Sequence, residues 1–478
     1  MQQLSLRDAL TRSPALAAAL ALALGGVAGG AAAFGPIYAF AGLLALLAGL
    51  AMLASTEVGL LVVFAIITLF PFGTLPFKAI ITPNFLTLAL VALLGVWLLR
   101  LLAHPEAFDL RLTPLGLPII GFIGLTFFSL YLGARGLPDF ATLHNYTKFV
   151  LGVLLYFSVV NCVRERWQAR LALQGLILSG GLAALMALGL WALNDELALS
   201  LLVSLGRLGY PTSGRVLRYV EDDPNGLERA IGLSVDPNSF GGMLALVLAL
   251  AAAQLVAQRP LLRRWLLGCI VGVMALVLLL TFSRAALFGT VFAAAYLATV
   301  RYRRLWWVMF AAAVVGGLLL IGLGYAEEFV ERIVSGVQFE DQAQQMRLAE
   351  FRNAVAIIQR YPAFGIGFGA APDLDLTAGV SNIYLAIGQR MGLVGLAAFL
   401  AILAAWFIRS LTALPGLDEE RTSWALGCQA GIVAALAVGL ADHYFFNIEF
   451  SHMGALLWGV AGLGMAIADL PEEAPTER

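Results

Sequence analysis

Long apolar runs separated by short charged turns organise this chain. Windows of about 20 residues pass without a single charge, as at 15–54, 171–193 and 237–257, and shorter uncharged runs fill 85–99 and 265–281. About 20 apolar residues is the length a helix needs to cross a bilayer. The pattern predicts spans near 14–34, 36–54, 57–72, 84–102, 115–132, 146–163, 169–192, 237–257, 264–281, 284–300, 304–325, 386–408, 422–441 and 453–469. Uninterrupted runs are wrong for a barrel strand, whose lipid-facing and lumen-facing residues alternate. The expected fold is therefore all-α: a polytopic transmembrane helical bundle of about 12–14 spans. The second and third spans lie so close together that either reads as a broken or re-entrant element. The basic start of the chain, with Arg7 and Arg12 before the run from Pro14, reads as an uncleaved first membrane helix.

Arginine placement orients the bundle. With the N-terminus in the cytoplasm, the cytoplasmic loops hold Arg100 and Arg111; Arg164, Arg166 and Arg170; Arg259, Arg263 and Arg264; Arg301, Arg303 and Arg304; Arg409 and Arg421. These loops are short, which is where the positive-inside rule applies. Both termini are then cytoplasmic, and two long segments are extracytoplasmic. The expected organisation is N-terminal membrane helices over 1–193, an external loop over 194–235, membrane helices over 236–325, a large external loop over 326–385, and C-terminal membrane helices over 386–478.

Composition agrees. Hydrophobic residues make up 61% of the 478, charged residues 12%, and mean hydropathy is +0.89; soluble domains run nearer 45–50% and about 25%. A net charge of −1 gives no attraction for nucleic acid. Cys162, Cys269 and Cys428 lie in or beside apolar runs with no CxxC, so neither a disulfide framework nor a zinc site is expected. No cofactor or metal is expected.

The external segments hold the polar chemistry. In 194–235, Arg207, Arg215, Arg218 and Arg229 lie among acids, and the segment runs into Asp236-Pro237-Asn238, which reads as a helix N-cap followed by proline at the first helical position. In 326–385, Gln344 to Arg360 has helical periodicity. At 100° per residue from Arg347, Phe351, Ala354 and Ile358 fall within about 40°, Leu348 and Val355 lie on a flank, and Arg352 falls about 140° away. Arg347 thus projects from the middle of an apolar face, and either snorkels or faces a polar cavity. Tyr361-Pro362 stops the helix. Gly365-Ile-Gly-Phe-Gly369 follows no strand, so it is not a dinucleotide fingerprint and reads as a flexible loop.

Four stretches in order resemble the bacterial O-antigen ligase and polymerase family, over about residues 215–465. They are Arg229 to Gly241 with its Pro-Asn; Thr281-Phe-Ser-Arg284-Ala; Arg347 with the helix to Tyr361-Pro362 and the glycines after it; and Ser381-Asn382-Ile-Tyr384-Leu followed by Met391-Gly392-Leu-Val-Gly395. The resemblance implies a membrane glycosyltransferase for cell-envelope polysaccharide such as the O-antigen of lipopolysaccharide. Its donor would be a lipid-linked glycan on polyprenyl (undecaprenyl) diphosphate, and its acceptor a glycan or lipid. It implies an extracytoplasmic site in the bacterial inner membrane, among membrane lipids and other polysaccharide-assembly proteins. One departure matters: Ser381 stands where the family has a His, which in the ligase branch is taken as general base. That departure favours a polymerase over a ligase.

Displacing a diphosphate from an anomeric carbon builds charge on the leaving group, and a guanidinium fork binds two phosphate oxygens at once. Arg229, Arg284 and Arg347 are the expected catalytic cations, in place of a metal. Arg215, Arg218, Asn238, Asn382, Tyr384 and Arg390 are expected to contact substrate. Arg390 stands out because an intramembrane charge is by default functional, unless residues 382–391 form an external half-helix. For the base, Asp373 and Asp375 lie near the position of the missing His. His144, and Asp442-His443 and His452 bracketing a turn with Glu449, read first as hydrogen-bonded interfacial residues. Two other readings are a glycolipid or solute transporter and a non-catalytic envelope scaffold. Spans nearly free of charge argue against ion-coupled passage.

Overall fold

The computed structural model describes residues 49–75, 84–103, 110–134, 138–322, 342–368 and 379–471, with Gly25 and Leu47 besides. The first expected span and most of the second, and the loop positions Asp373 and Asp375, lie outside the described residues. The helices are α1 Thr56–Leu69, α2 Phe85–Ala103, α3 Gly116–Ala134, α4 Phe140–Cys162, α5 Arg166–Trp191, α6 Asp195–Ser204, α7 Pro237–Val256, α8 Arg264–Leu280, α9 Arg284–Val300, α10 Leu305–Gly322, α11 Gln342–Arg360, α12 Ile383–Ala413, α13 Glu419–Val438 and α14 Ser451–Ala468. Among the described residues there is no strand, only isolated bridges at Thr74–Asn84 and Tyr219–Glu228. Seven of the described helices are long and apolar enough to cross a membrane, and four shorter ones are apolar. The chain is an all-α, multi-pass membrane protein.

The core lies where α7, α13 and α14 meet α4, α5 and α9. α14 and α7 are enclosed almost all round, with 94% and 83% of their apolar windows buried. Lipid tails are as apolar as leucine, so polar contacts between helices help to fix the packing. Gln254 donates to the Ser423 carbonyl at 2.9 Å, Tyr296 to Gln429 Oε1 at 2.7 Å, and Gln429 to Ser410 Oγ at 2.5 Å. By contrast, α10 exposes Trp306, Trp307, Phe310, Leu318 and Leu319, the surface expected to face lipid.

The two ends of the bundle differ. One is braced by ion pairs: Arg166–Asp418 at 2.7 Å, Arg170–Glu420 at 3.1 Å, Arg301–Glu419 at 2.9 Å and Arg409–Asp469 at 2.7 Å. These join the loops grouped above as cytoplasmic. The other end carries the polar segment before α7. That segment is more than a loop. It contains α6 and a small core of its own, in which Leu202, Tyr210, Val216, Ile231 and Leu233 are buried.

The expected span at 386–408 is part of a longer, broken helix. Gly392 has φ 66° and ψ −170°, which interrupts the α12 ladder. The break strands backbone groups on both sides, and the glycine segment after α11 satisfies them. Ile366 N–H and Gly367 N–H donate to the Gln389 and Arg390 carbonyls at 2.9 and 2.8 Å. Leu393 and Val394 N–H donate back to the Pro362 and Ala363 carbonyls at 2.7 and 3.2 Å. The segment expected to be a flexible loop is, through Phe368, a clasp on a broken helix. Gly367 is required there: its φ is +81°, and a Cβ would lie 2.3 Å from the Ser129 carbonyl oxygen.

Candidate functional site

Two strained turns frame the polar end. Val235, immediately before α7, and Phe282, before α9, have φ of 62° and 50°. A β-branched or bulky residue in that region is an outlier that surrounding structure must hold, and such strain gathers at functional sites. Here arginines hold it. Arg218 Nε donates to the Val235 carbonyl at 3.3 Å, and Arg229 Nε donates to the Thr281 carbonyl at 2.8 Å. Arg229 N–H also donates to the Arg218 carbonyl at 2.7 Å, which sets the two side by side.

Arg229 is aimed as well as anchored. Its Nη2 donates to Asn238 Oδ1 at 2.7 Å. Burial works against its positive charge, and Asp236 offsets this by attraction. Asp236 is the N-cap expected from the sequence, with Oδ1 accepting from the N–H of Asn238 and Ser239, each at 2.9 Å. Tyr444 lies within electrostatic reach of the same carboxylate. Arg284 opens α9, beyond the Ser283 cap and next to the carbonyl that holds Arg229, with its side chain exposed.

From the other side comes α11, which packs on α12. Its inward face carries Arg347, Glu350, Phe351, Ala354, Ile357 and Ile358, while Arg352 is exposed. Val355, placed on the apolar flank from the sequence, is exposed too, so the buried stripe is narrower than periodicity suggested. Glu350 was not singled out, although it lies one turn after Arg347 on the same face. Its Oε2 accepts from Ser381 N–H at 3.0 Å and Ser381 Oγ at 2.8 Å.

The turn between α13 and α14 closes the site. Asp442 is buried, and burial pushes its carboxyl up to about 7 against the pull of the His443 N–H, Arg347 and Arg229. Asp442 is thus within electrostatic reach of both arginines and of Asp236, which places the α7, α11 and α13–α14 contributions at one locus. His443 stacks on Tyr444 with ring centroids 4.7 Å apart, and Glu350, Asp236, Arg390 and Glu449 act on it electrostatically.

Residues 269–400 match the family model described as O-antigen ligase. The matched segment takes in the Ser283–Arg284 turn, α11 with Arg347 and Glu350, the glycine clasp, and Ser381. That segment of the chain is similar to the O-antigen ligase family. No curated protein matches the chain in sequence. A chain in the structure described as "Structural coordination of polymerization and crosslinking by a peptidoglycan synthase complex" is similar over 76% of this chain and 97% of its own length, at 19% identity and a TM-score of 0.38.

The remaining candidates have varied surroundings. Arg215 pairs with Asp222 at 2.6 Å on an exposed surface. Asn382 caps α12 through Leu385 N–H and donates to the Leu440 carbonyl at 2.7 Å, and Tyr384 donates to the Leu436 carbonyl at 3.0 Å. Both side chains therefore fasten α12 to the end of α13. Arg390 lies in the half-helix before the Gly392 break, donating to the Gly367 carbonyl at 3.3 Å with its guanidinium 5.7 Å from the centre of the Phe368 ring. His452 is a buried core residue beside Ser239, 3.3 Å from its hydroxyl.

Proposed function

We propose that this chain is a glycosyltransferase that acts on a polyprenyl-diphosphate-linked glycan at the extracytoplasmic face of a bacterial inner membrane, and that it polymerises rather than ligates. The observation that carries this reading is that Arg229 and Arg347, from segments far apart in the chain, both act electrostatically on the buried Asp442 carboxyl. An arginine pair held at the polar end of a lipid-embedded bundle suits a diphosphate whose prenyl tail stays in the bilayer. Fixed cations at that point stabilise the charge that develops as the glycosyl–phosphate bond breaks. Arg229 arrives pre-aimed by Asn238 and the Thr281 carbonyl, so little reorganisation is needed on binding. Arg284 and Arg218 border the same turns. Ser381, in the place of the ligase histidine, supports the polymerase assignment.

The test is direct. Purified protein is incubated with a lipid-linked oligosaccharide, with and without a lipid A–core acceptor, and the products are sized. Chain extension with the lipid-linked substrate alone supports the polymerase; transfer only to the core acceptor would make it a ligase. An EDTA arm tests the role given to arginine. Asp373-Leu-Asp375 has the spacing of a carboxylate pair that can hold a divalent cation. Loss of activity in EDTA, restored by Mg²⁺, would overturn the metal-independent mechanism.

A further inference from the structure

The reaction needs a base for the acceptor hydroxyl, and the family's position for it is occupied by Ser381. Ser381 cannot serve there, because its hydroxyl already donates to Glu350. The Glu350 oxygen that faces it already accepts two hydrogen bonds. We propose that His443, on the turn between α13 and α14, is the general base of this site, oriented by Asp442. The proposal rests on the glycosyltransferase reading above.

Three observations carry it. His443 is within electrostatic reach of Glu350, the carboxylate that holds Ser381, so the imidazole serves the same locus from another element. Its two nitrogens have opposite surroundings. Nδ1 is buried without a hydrogen-bond partner, 3.5 Å from Asp442 Oδ1. The side chain is nevertheless 30% exposed, so the open edge of the ring is the one that carries Nε2. Finally, the ring is fixed in orientation. It stacks on Tyr444, and the His443 backbone N–H donates to Asp442 Oδ1 at 2.9 Å.

This is the arrangement of a base with an orienting carboxylate. With Asp442 ionised, as it is above about pH 7, a proton on Nδ1 facing it leaves the Nε2 lone pair free. The 3.5 Å separation is long, as such contacts often are before substrate binds. In the step, the acceptor O–H gives its proton to Nε2 and its oxygen forms the new bond to the anomeric carbon. The anomeric carbon–phosphate oxygen bond breaks, and its electron pair leaves on the diphosphate, beside Arg229 and Arg347. Burial opposes the charge of the imidazolium, as does Arg390, while Glu350, Asp236 and Glu449 favour it. Asp442 is a positioning residue, since it acts through His443.

His443→Ala and His443→Gln are assayed for chain extension in detergent, with monodispersity as the check on folding. Turnover should fall by roughly 10²–10⁴-fold in both, the range for loss of a general base. Added imidazole should restore part of the His443→Ala activity, and substituted imidazoles should do so in order of basicity. A packing role would not produce that order. The proposal is overturned if folded His443→Gln works at near the wild-type rate, or if folded, inactive His443→Ala ignores every imidazole. Failure of the wild-type protein to transfer any lipid-linked glycan would overturn the glycosyltransferase reading, and this proposal with it.

Discussion

Arg229 donates through Nη2 to Asn238 Oδ1 at 2.7 Å, joining the strained segment before α7 to the first turn of that helix. The contact aims a guanidinium that is also fixed through Nε to the Thr281 carbonyl. Asn238→Ala should therefore weaken turnover through misplacement of Arg229, by roughly 10- to 100-fold, the scale of one hydrogen bond to a charged group at roughly 1.5–3 kcal/mol. Arg229→Lys should cost more, because an ammonium cannot serve the carbonyl, the amide and a phosphate in one plane. An Asn238→Ala rate equal to wild type would show that Arg229 does not need this support.

Arg347 and Arg352 form an internal contrast on one helix. Arg347→Ala should cut turnover by roughly 10²-fold or more, the effect of removing one transition-state donor at about 3 kcal/mol, and Arg347→Lys should recover little. Arg352 is exposed on the opposite side of α11, and Arg352→Ala should keep most activity. Initial rates of chain extension on monodisperse variants decide the matter. A harsher loss at Arg352 would place the site on the wrong face.

Asp442 gives a pH dependence of definite sign. Burial raises its carboxyl to about 7. Below the ordinary carboxylate range, near pH 4, the folded and unfolded chains both carry the proton. As pH rises from there to about 7, the unfolded chain releases it while the folded chain keeps it. The stability this group contributes is thus complete at low pH and lost as pH rises through about 7. The melting temperature of wild type, measured against Asp442→Asn in the same detergent, should fall between about pH 5 and pH 8. A difference that stays constant with pH would mean that Asp442 is not held protonated.

The Gly392 break is a stability prediction. An alanine Cβ would lie 2.3 Å from the Ala363 carbonyl, at a φ of +66°. Backbone strain and overpacking together should cost roughly 2–5 kcal/mol. Gly392→Ala should melt earlier and, by loosening the clasp, displace Arg390. Gly416→Ala, where a Cβ meets nothing within 4 Å, is the control. Equal melting temperatures for the two would contradict the clasp.

Orientation is tested by labelling, in a background with the exposed Cys269 replaced. A cysteine at Asn225, exposed at the polar end, should react with an impermeant thiol reagent in intact cells. One at Gly416, exposed at the braced end, should react only after permeabilisation. The reverse pattern would invert the protein and move the site to the cytoplasm.

Hydropathy period and length made the helices legible, and the arginine pattern grouped the loops that the ion pairs join. The Asp236–Pro237 cap and the inward phase of Arg347 were equally readable, because both depend on local spacing. Glu350 shares the Arg347 face of the helical wheel, but its role depends on Ser381, which is distant in the chain and reaches it only through the fold. The clasp was not legible. It is a long-range exchange of backbone hydrogen bonds between Pro362–Gly367 and Gln389–Val394, and backbone groups leave no mark in a sequence. The surroundings of His443 were hidden for a related reason: its isolation from one neighbour and exposure to another depend on three elements meeting.

The ion-pair end has a consequence for how the protein is made. Asp418, Glu419 and Glu420, from one loop, neutralise Arg166, Arg170 and Arg301 in the finished bundle. Acidic residues count for little when a nascent segment is oriented, whereas arginines count strongly. In the proposed orientation the same arginines act at two times. During insertion they are retained on the cytoplasmic side before their partners exist. After α13 emerges they become struts that lock two earlier loops to it. Neutralising Asp418, Glu419 and Glu420 together would therefore leave a chain threaded correctly through the membrane but fastened loosely at its base.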